Sequence, residues 1–191
     1  PDTVAVLVEP IQGEAGIRVP AEGYLKQLRK ICDERGLLLM LDEIQTGLCR
    51  TGRWYAHQHE DVLPDVMTSA KALANGLPIG ACLARGEAAE RLQPGSHGST
   101  FGGNPVVSRA ALTVLDVMES EGIAERAADL GKRMIDAFEK RIGALSCVQD
   151  IRGRGLMIGI ELDRAAAAVK TACLDRGVIV NVTAERVVRL L

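Results

Sequence analysis

The stretch DVMTSAKALANGLPIG, Asp65–Gly80, runs an apolar segment into a single lysine, Lys71, with small residues before it and Asn75, Gly76 and Pro78 soon after. An unpaired charge is costly to bury. A lysine at the end of an inward-facing segment is therefore expected to have a partner, a shifted pKa or a covalent task. The plain alternative is a surface lysine that begins a helix. The rest of the sequence decides between them.

On either side of that stretch the chain alternates apolar runs with helical periodicity. VAVLVEP (Val4–Pro10) reads as a buried strand stopped by proline, and Ala21–Arg35 as a helix with Tyr24, Leu25, Leu28 and Ile31 on one face and Gly36 as its stop. LLLMLDE (Leu37–Glu43) is a continuous apolar run, which predicts a strand covered on both faces. VMTSA and IGACLAR flank Lys71 as two further strands. Strand–helix–strand alternation of this kind predicts an α/β fold with a largely parallel sheet. After HGSTFGGNPVV come two helices, about Pro105–Glu121 and Ile123–Ile142. Two β-runs around the Gly-rich turn of CVQDIRGRGLMIGIEL follow, then a helix over Ala165–Arg176 and short strands in VIVNV and RVVRLL. The reading is a larger α/β part over residues 1–147 and a smaller α+β part from 148 to 191. Four strands with one crossover helix make a poor independent sheet, so the chain is expected to belong to something larger.

Composition narrows the function classes. Hydrophobic residues at 47% and charged residues at 25% suit a globular core, and aromatics at 3% leave that core to Leu, Val, Ile and Ala. A net charge of −2 argues against a broad nucleic-acid or anionic-membrane surface. No apolar run approaches the roughly 20 residues that span a bilayer, and PDTVAVLVEP lacks the basic start and cleavage site of a signal peptide. The five cysteines are scattered without a CxxC pair, so reduced thiols in the cytoplasm are the expectation.

Asp42 ends the Leu37–Leu41 run, at the sheet edge where open α/β folds bind ligands. Lys71 follows at about the spacing of a crossover that returns to the same edge. One acid for a cationic ring nitrogen and one lysine for an aldehyde are the pair that pyridoxal phosphate requires. Gly95–Pro105 is a Gly/Ser/Thr loop ahead of a helix, where backbone N–H groups and the hydroxyls of Ser99 and Thr100 suit a phosphate. GRGLMIG is no dinucleotide fingerprint, because Ile158 stands where the third glycine belongs. His57 and His59 lack a nearby third ligand and read as one turn of loop. Glu9 and Glu14 read by default as solvated loop acids. Arg189, a guanidinium inside an apolar strand, calls for a carboxylate on the protein or on a ligand.

Together VEPIQGEAG, LDEIQTGLCRTGRW, PDVMTSAKALANGLPIG, GSHGSTFGGNP, RGRGLMIGIEL and VVRLL resemble the class III (ornithine-type) pyridoxal-phosphate aminotransferases of fold type I. The resemblance covers essentially the whole chain. Within the class, HGSTFGGNP and NVTAERVVRLL look most similar to the acetylornithine aminotransferases. It implies pyridoxal 5'-phosphate as cofactor, with Lys71 as Schiff-base lysine and proton carrier, Asp42 on the pyridine nitrogen and Gln45 on the ring oxygen. Thr100, next to Ser99, would reach the cofactor phosphate of a neighbouring subunit, giving a homodimer with shared sites. Arg189 would clamp the α-carboxylate of an amino acid, and Glu14 would pair with Arg189 while a distal-amine substrate is bound, releasing it for 2-oxoglutarate or glutamate. Other enzymes of the scaffold, such as ornithine or succinylornithine aminotransferases, aminomutases and dialkylglycine-type decarboxylases, share Asp42 and Lys71. A non-catalytic fragment is the reading from a different class. The family's Gly-Thr phosphate turn and ring-stacking aromatic, which precede VAVLVEP, are not in this sequence.

Overall fold

The strands β1 (Ala5–Val8), β2 (Leu38–Asp42), β3 (Val66–Ser69) and β4 (Ala81–Ala84) lie side by side in that order. The computed structural model describes residues 2–191. β1, β2 and β3 are parallel, with Leu41 opposite Met67 and Asp42 opposite Thr68, while β4 returns antiparallel to β3. The connection between β3 and β4, residues 70–80, holds a 3-10 turn but no crossover helix, and a parallel return needs a longer crossover.

Helix α1 (Tyr24–Arg35) makes the first crossover. It starts later than the periodicity predicts because Gly23, at φ 82°, is left-handed, and it ends at Gly36, whose N–H reaches back to the carbonyls of Cys32 and Asp33. Leu25, Leu28 and Cys32 pack on Leu39 and Leu41. Ile31 belongs to the predicted apolar face, yet it is 43% exposed, because at 100° per residue it falls on the flank of the Leu25–Cys32 stripe. The continuous apolar run of β2 predicts cover on both faces, and the structure covers one. Leu39 and Leu41 are fully buried under α1, a gain of roughly 1.5–3 kcal/mol each. On the other face Met40 is half-buried, and Leu7 on the adjacent strand is 63% exposed.

Two long helices follow. Asn104 caps α2 (Pro105–Ser120) by accepting from the N–H groups of Val106 and Val107, with proline in the first turn. Helix α3 (Ile123–Ile142) begins after the left-handed Gly122. A second, wholly antiparallel sheet is then built from β5 (Val148–Arg154), β6 (Met157–Leu162), β8 (Val187–Leu190) and β7 (Asn181–Thr183), in that spatial order. Helix α4 (Ala167–Leu174) is shorter than the Ala165–Arg176 span predicts. VIVNV supplies only the edge strand β7. Val178–Val180 lie outside it, with Ile179 88% exposed.

The two sheets meet at a seam. The loop Gln12–Arg18 lies on the second sheet, where Arg152 donates through Nε to the carbonyl of Ile17 at 2.8 Å and through Nη2 to that of Gly16. Ile17 is fully buried against Gly159, whose missing Cβ would stand 3.0 Å from the Ile17 Cβ. At the β5–β6 turn, Leu156 donates to the carbonyl of Arg50 at 2.9 Å. Gly155 at that turn is left-handed, φ 55°, and lies against the backbone of Arg50–Gly52 on one side and Gly131 of α3 on the other. A methyl on Gly131 would come within 2.7 Å of the Gly155 Cα. Backbone cannot step aside as a flexible side chain can. Gly131→Ala is therefore expected to lower stability by about 1–3 kcal/mol, read as a shifted denaturant midpoint at constant slope.

Candidate active site at the seam of the two sheets

β2 ends in two adjacent carboxylates, and the pleat sends them in opposite directions. Asp42 is half-buried. Its Oδ1 accepts from the Ile44 N–H at 3.0 Å and from Thr68 Oγ1 at 3.3 Å on the neighbouring strand. Its Oδ2 has no hydrogen-bond donor among the described residues. Glu43, 1% exposed, turns inward. It accepts from the backbone N–H groups of Ala56 (3.0 Å) and His57 (2.9 Å), from His57 Nδ1 (3.0 Å) and from the Thr46 hydroxyl. One carboxylate thus closes the loop from the end of β2 to the short 3-10 turn Ala56–His59. His59 in that turn faces Thr51 instead, with Nε2 3.0 Å from its carbonyl.

Lys71 opens a 3-10 turn, Lys71–Ala74, directly after β3. Its backbone is left-handed, φ 52°, a conformation that costs a side-chain-bearing residue about 1–2 kcal/mol and re-aims its side chain at the strand end. The ammonium group is exposed, because the sheet face beyond it is bare, and Nζ makes no ion pair among the described residues. Beneath the turn, Ser69 is 1% exposed and its hydroxyl is met by Tyr55 Oη at 3.3 Å.

Arg189 and Glu14 come together from opposite sides of the seam. Arg189, on β8, is 8% exposed, and its Nη1 lies 2.6 Å from Glu14 Oε1. Glu14 is exposed, and its backbone carbonyl accepts from the Thr183 hydroxyl. Gln45 completes a triangle: Nε2 donates to Glu14 Oε1 at 3.2 Å, and Oε1 accepts from Arg189 Nη1 at 3.2 Å. The carboxamide lies across Gly13, where a Cβ would fall 2.6 Å from Gln45 Cδ. The hydrogen bond from the Arg189 guanidinium holds the Glu14 pKa below its ordinary value, against burial, with the charge of Arg189, the amide of Gln45 and the charge of Lys71 also lowering it. Lys71 therefore shares the electrostatic neighbourhood of Glu14, Gln45 and Arg189.

The predicted site residues separate into two groups. Gln45, Glu14 and Arg189 converge, with Asp42 on the strand end that leads into Gln45 and with the charge of Lys71 felt at Glu14. Ser99 and Thr100 do not join them. They lie on the exposed loop before α2, where the Ser99 hydroxyl accepts from the Gly102 N–H at 2.9 Å. Two of the N–H groups offered to a phosphate by that helix end are already taken by Asn104. The default reading of Glu14 as a solvated loop acid is corrected by its bond to Arg189. Glu43, Tyr55 and Gly13 were missed. The signal for Glu43 was the acid pair in LDEIQTG: if Asp42 faces the cleft, its neighbour faces inward and needs donors, and Thr46 follows three residues on.

For pyridoxal phosphate, the residues fit the ring-nitrogen and aldehyde ends of the group. Among the described residues, Asp42 Oδ2 and Lys71 Nζ have no hydrogen-bond or ion-pair partner at the ends of β2 and β3.

A mostly parallel sheet with an acid and a lysine at its carboxyl edge, joined to a small antiparallel sheet that supplies an arginine, is the layout of fold type I pyridoxal-phosphate transferases. The chain belongs to the family Aminotransferase class-III, whose match spans residues 1–191. Acetylornithine aminotransferase of Nitrosomonas europaea is 54% identical over 190 residues, covering 100% of this chain and 48% of that protein. Its counterpart from Corynebacterium efficiens is 50% identical over 190 residues, covering 99% and 46%. Among solved structures, acetylornithine aminotransferase from Elizabethkingia anophelis superposes with a TM-score of 0.92 at 40% identity, covering 97% of this chain and 50% of that one. Ornithine aminotransferase from Toxoplasma gondii, a structure with partial occupancy of PLP at its active site, gives 0.94 at 41%, covering 97% and 45%. The chain spans about half the length of the curated relatives it matches. Among the described residues no helix is long and apolar enough to cross a membrane.

Two outcomes follow from the geometry. Glu43→Leu strands the donors of Ala56, His57 and Thr46 and should cost about 3–5 kcal/mol in a urea titration. Because the Glu14 carboxylate is favoured in the folded state, its contact with Arg189 is complete above the ordinary glutamate pKa and lost as pH falls through the depressed value. Arg189→Met should move the Glu14 midpoint up to the ordinary carboxylate range in a carbon-detected NMR titration.

Proposed function

We propose that this chain serves a pyridoxal-phosphate-dependent aminotransferase that moves the distal amino group of N-acetylornithine to 2-oxoglutarate. The products are a semialdehyde and glutamate, a step of arginine biosynthesis in the cytoplasm. The observation that supports this reading most is the Arg189–Glu14 pair at 2.6 Å beside the free amine of Lys71. A distal-amine donor and a dicarboxylate acceptor must use one site in turn. An arginine with a removable internal carboxylate suits both: masked, it admits the first substrate, and unmasked, it takes the carboxylate of the second. The amino donor is carried over from the acetylornithine aminotransferases at 50–54% identity.

Each residue has a role in that reading. Lys71 would hold the aldehyde end of the cofactor through its side-chain nitrogen, and the same nitrogen, when free, would carry the proton to and from the carbon that bears the substrate amine. Asp42 Oδ2 would hold the pyridine nitrogen and keep its proton in place. When bound, the cofactor supplies the electron sink for charge developing at that carbon. The resemblance assigns Gln45 to the ring oxygen and Thr100 to the phosphate of a partner subunit in a homodimer, and the hydroxyl of Ser99 on the same loop suits a phosphate as well. Residues 1–147 would belong to the large domain and 148–191 to the small one.

In the full chain, Lys71→Ala should abolish transamination while leaving the thermal melting profile intact. It should also remove the visible absorbance band, sensitive to borohydride, that pyridoxal phosphate gives with the unmodified protein. Turnover or a borohydride-sensitive band in that variant would overturn the assignment.

A further inference from the structure

Gln45 is assigned by resemblance to the cofactor ring, yet both ends of its carboxamide are engaged elsewhere. Nε2 donates to Glu14, and Oε1 accepts from Arg189. The placement is built in: the amide lies over Gly13, in space that any side chain there would occupy. The two charged partners differ in freedom. The Arg189 side chain is 9% exposed and that of Glu14 is 72% exposed, so Glu14 is the partner free to leave. Arg189 Nε is buried with no hydrogen-bond partner, so the guanidinium has few other anchors once Glu14 swings out.

We propose that Gln45 is the pivot of the Glu14–Arg189 exchange and a specificity-determining residue for the dicarboxylate substrate. This rests on the exchange reading given above. With Glu14 in place, the amide bridges the acid and the arginine. With Glu14 gone, Oε1 keeps hold of Arg189 Nη1 and prevents the guanidinium from turning away. At the same time Nε2 loses its acceptor and points at the space the carboxylate has left. An incoming carboxylate takes over the contacts of Glu14, accepting from Arg189 Nη1 and Gln45 Nε2 together. Arginine alone would bind any carboxylate that reached it. Arginine with a fixed amide donor beside it selects one placed as Glu14 was.

A hydrogen bond to a charged group is strong enough that its loss should weaken dicarboxylate recognition by roughly tenfold or more. The test uses the full chain loaded with pyridoxal phosphate and the variants Gln45→Met, which keeps the volume over Gly13, Gln45→Asn, which keeps the amide but shortens its reach, and Glu14→Ala. The quantity read is the ratio of kcat/KM for glutamate to that for N-acetylornithine, with Gln45→Met and Glu14→Ala also combined. A second readout needs no cofactor: calorimetric binding of glutarate to the cofactor-free protein. The pivot predicts a fallen ratio in both Gln45 variants, weaker glutarate binding and clear non-additivity with Glu14→Ala. A ratio that moves with Glu14→Ala but not with either Gln45 variant, or strictly additive effects, overturns the pivot and leaves the exchange standing. A ratio unmoved by Glu14→Ala overturns the exchange itself and the pivot with it. Equal losses for both substrates in the Gln45 variants, with glutarate binding unchanged, would return Gln45 to the cofactor ring alone.

Discussion

The buried carboxylate of Glu43 fixes the loop on which the second sheet docks. A charge at 1% exposure is tolerable only if its lone pairs are filled, and here two backbone N–H groups, an imidazole and a hydroxyl fill them. Because those donors come from Thr46, Ala56 and His57, satisfying the charge closes the loop that leaves β2. That loop carries Gln45 at one end and the Arg50–Gly52 backbone, on which the β5–β6 turn docks, further along. The position of the second sheet, and so of Arg189, depends on an acid that takes no part in the proposed chemistry.

Charge at the seam is graded by mobility. Arg152 is fixed, spending its guanidinium on two loop carbonyls and on Asp150 and Glu161. Arg189 is more buried still, yet its carboxylate partner is exposed. A buried cation with a mobile anion is poor material for stability, since departure of the anion leaves an unpaired charge in a low-dielectric site. It is good material for an exchange, because any ligand carboxylate that replaces Glu14 recovers most of the interaction. Lys71, bare and in a left-handed turn, likewise gives up local stability to place its amine.

Much of the fold was legible in the residue pattern. The strand ending in Asp42, the helix stopped by Gly36, the two long helices and the Gly-rich β5–β6 turn all follow from apolar periodicity and turn residues, which act over a few positions. The errors have local physical causes. Ile31 reads as core because periodicity counts apolar residues and not their angle to a particular neighbour. VIVNV reads as a short strand over its whole length because β-propensity is silent on where along an edge the pairing begins. Leu37–Leu41 reads as covered on both faces because a run of leucines says nothing of what lies above it in this chain.

The candidate site divides along the same line. Sequence by itself determined which side chains can do the chemistry: an acid closing a strand, a lysine after the next strand, an arginine marooned among apolar residues, and a family pattern tying them together. Tertiary structure alone decided how they are joined. Glu14 and Arg189 lie at opposite ends of the chain, and no local rule pairs them; they meet because Ile17 and Arg152 fasten one sheet to the other. It also placed Gln45 between them and left Ser99 and Thr100 outside. Which donor meets which acceptor across a seam is set by the packing of whole elements, and that information resides in no short stretch of residues.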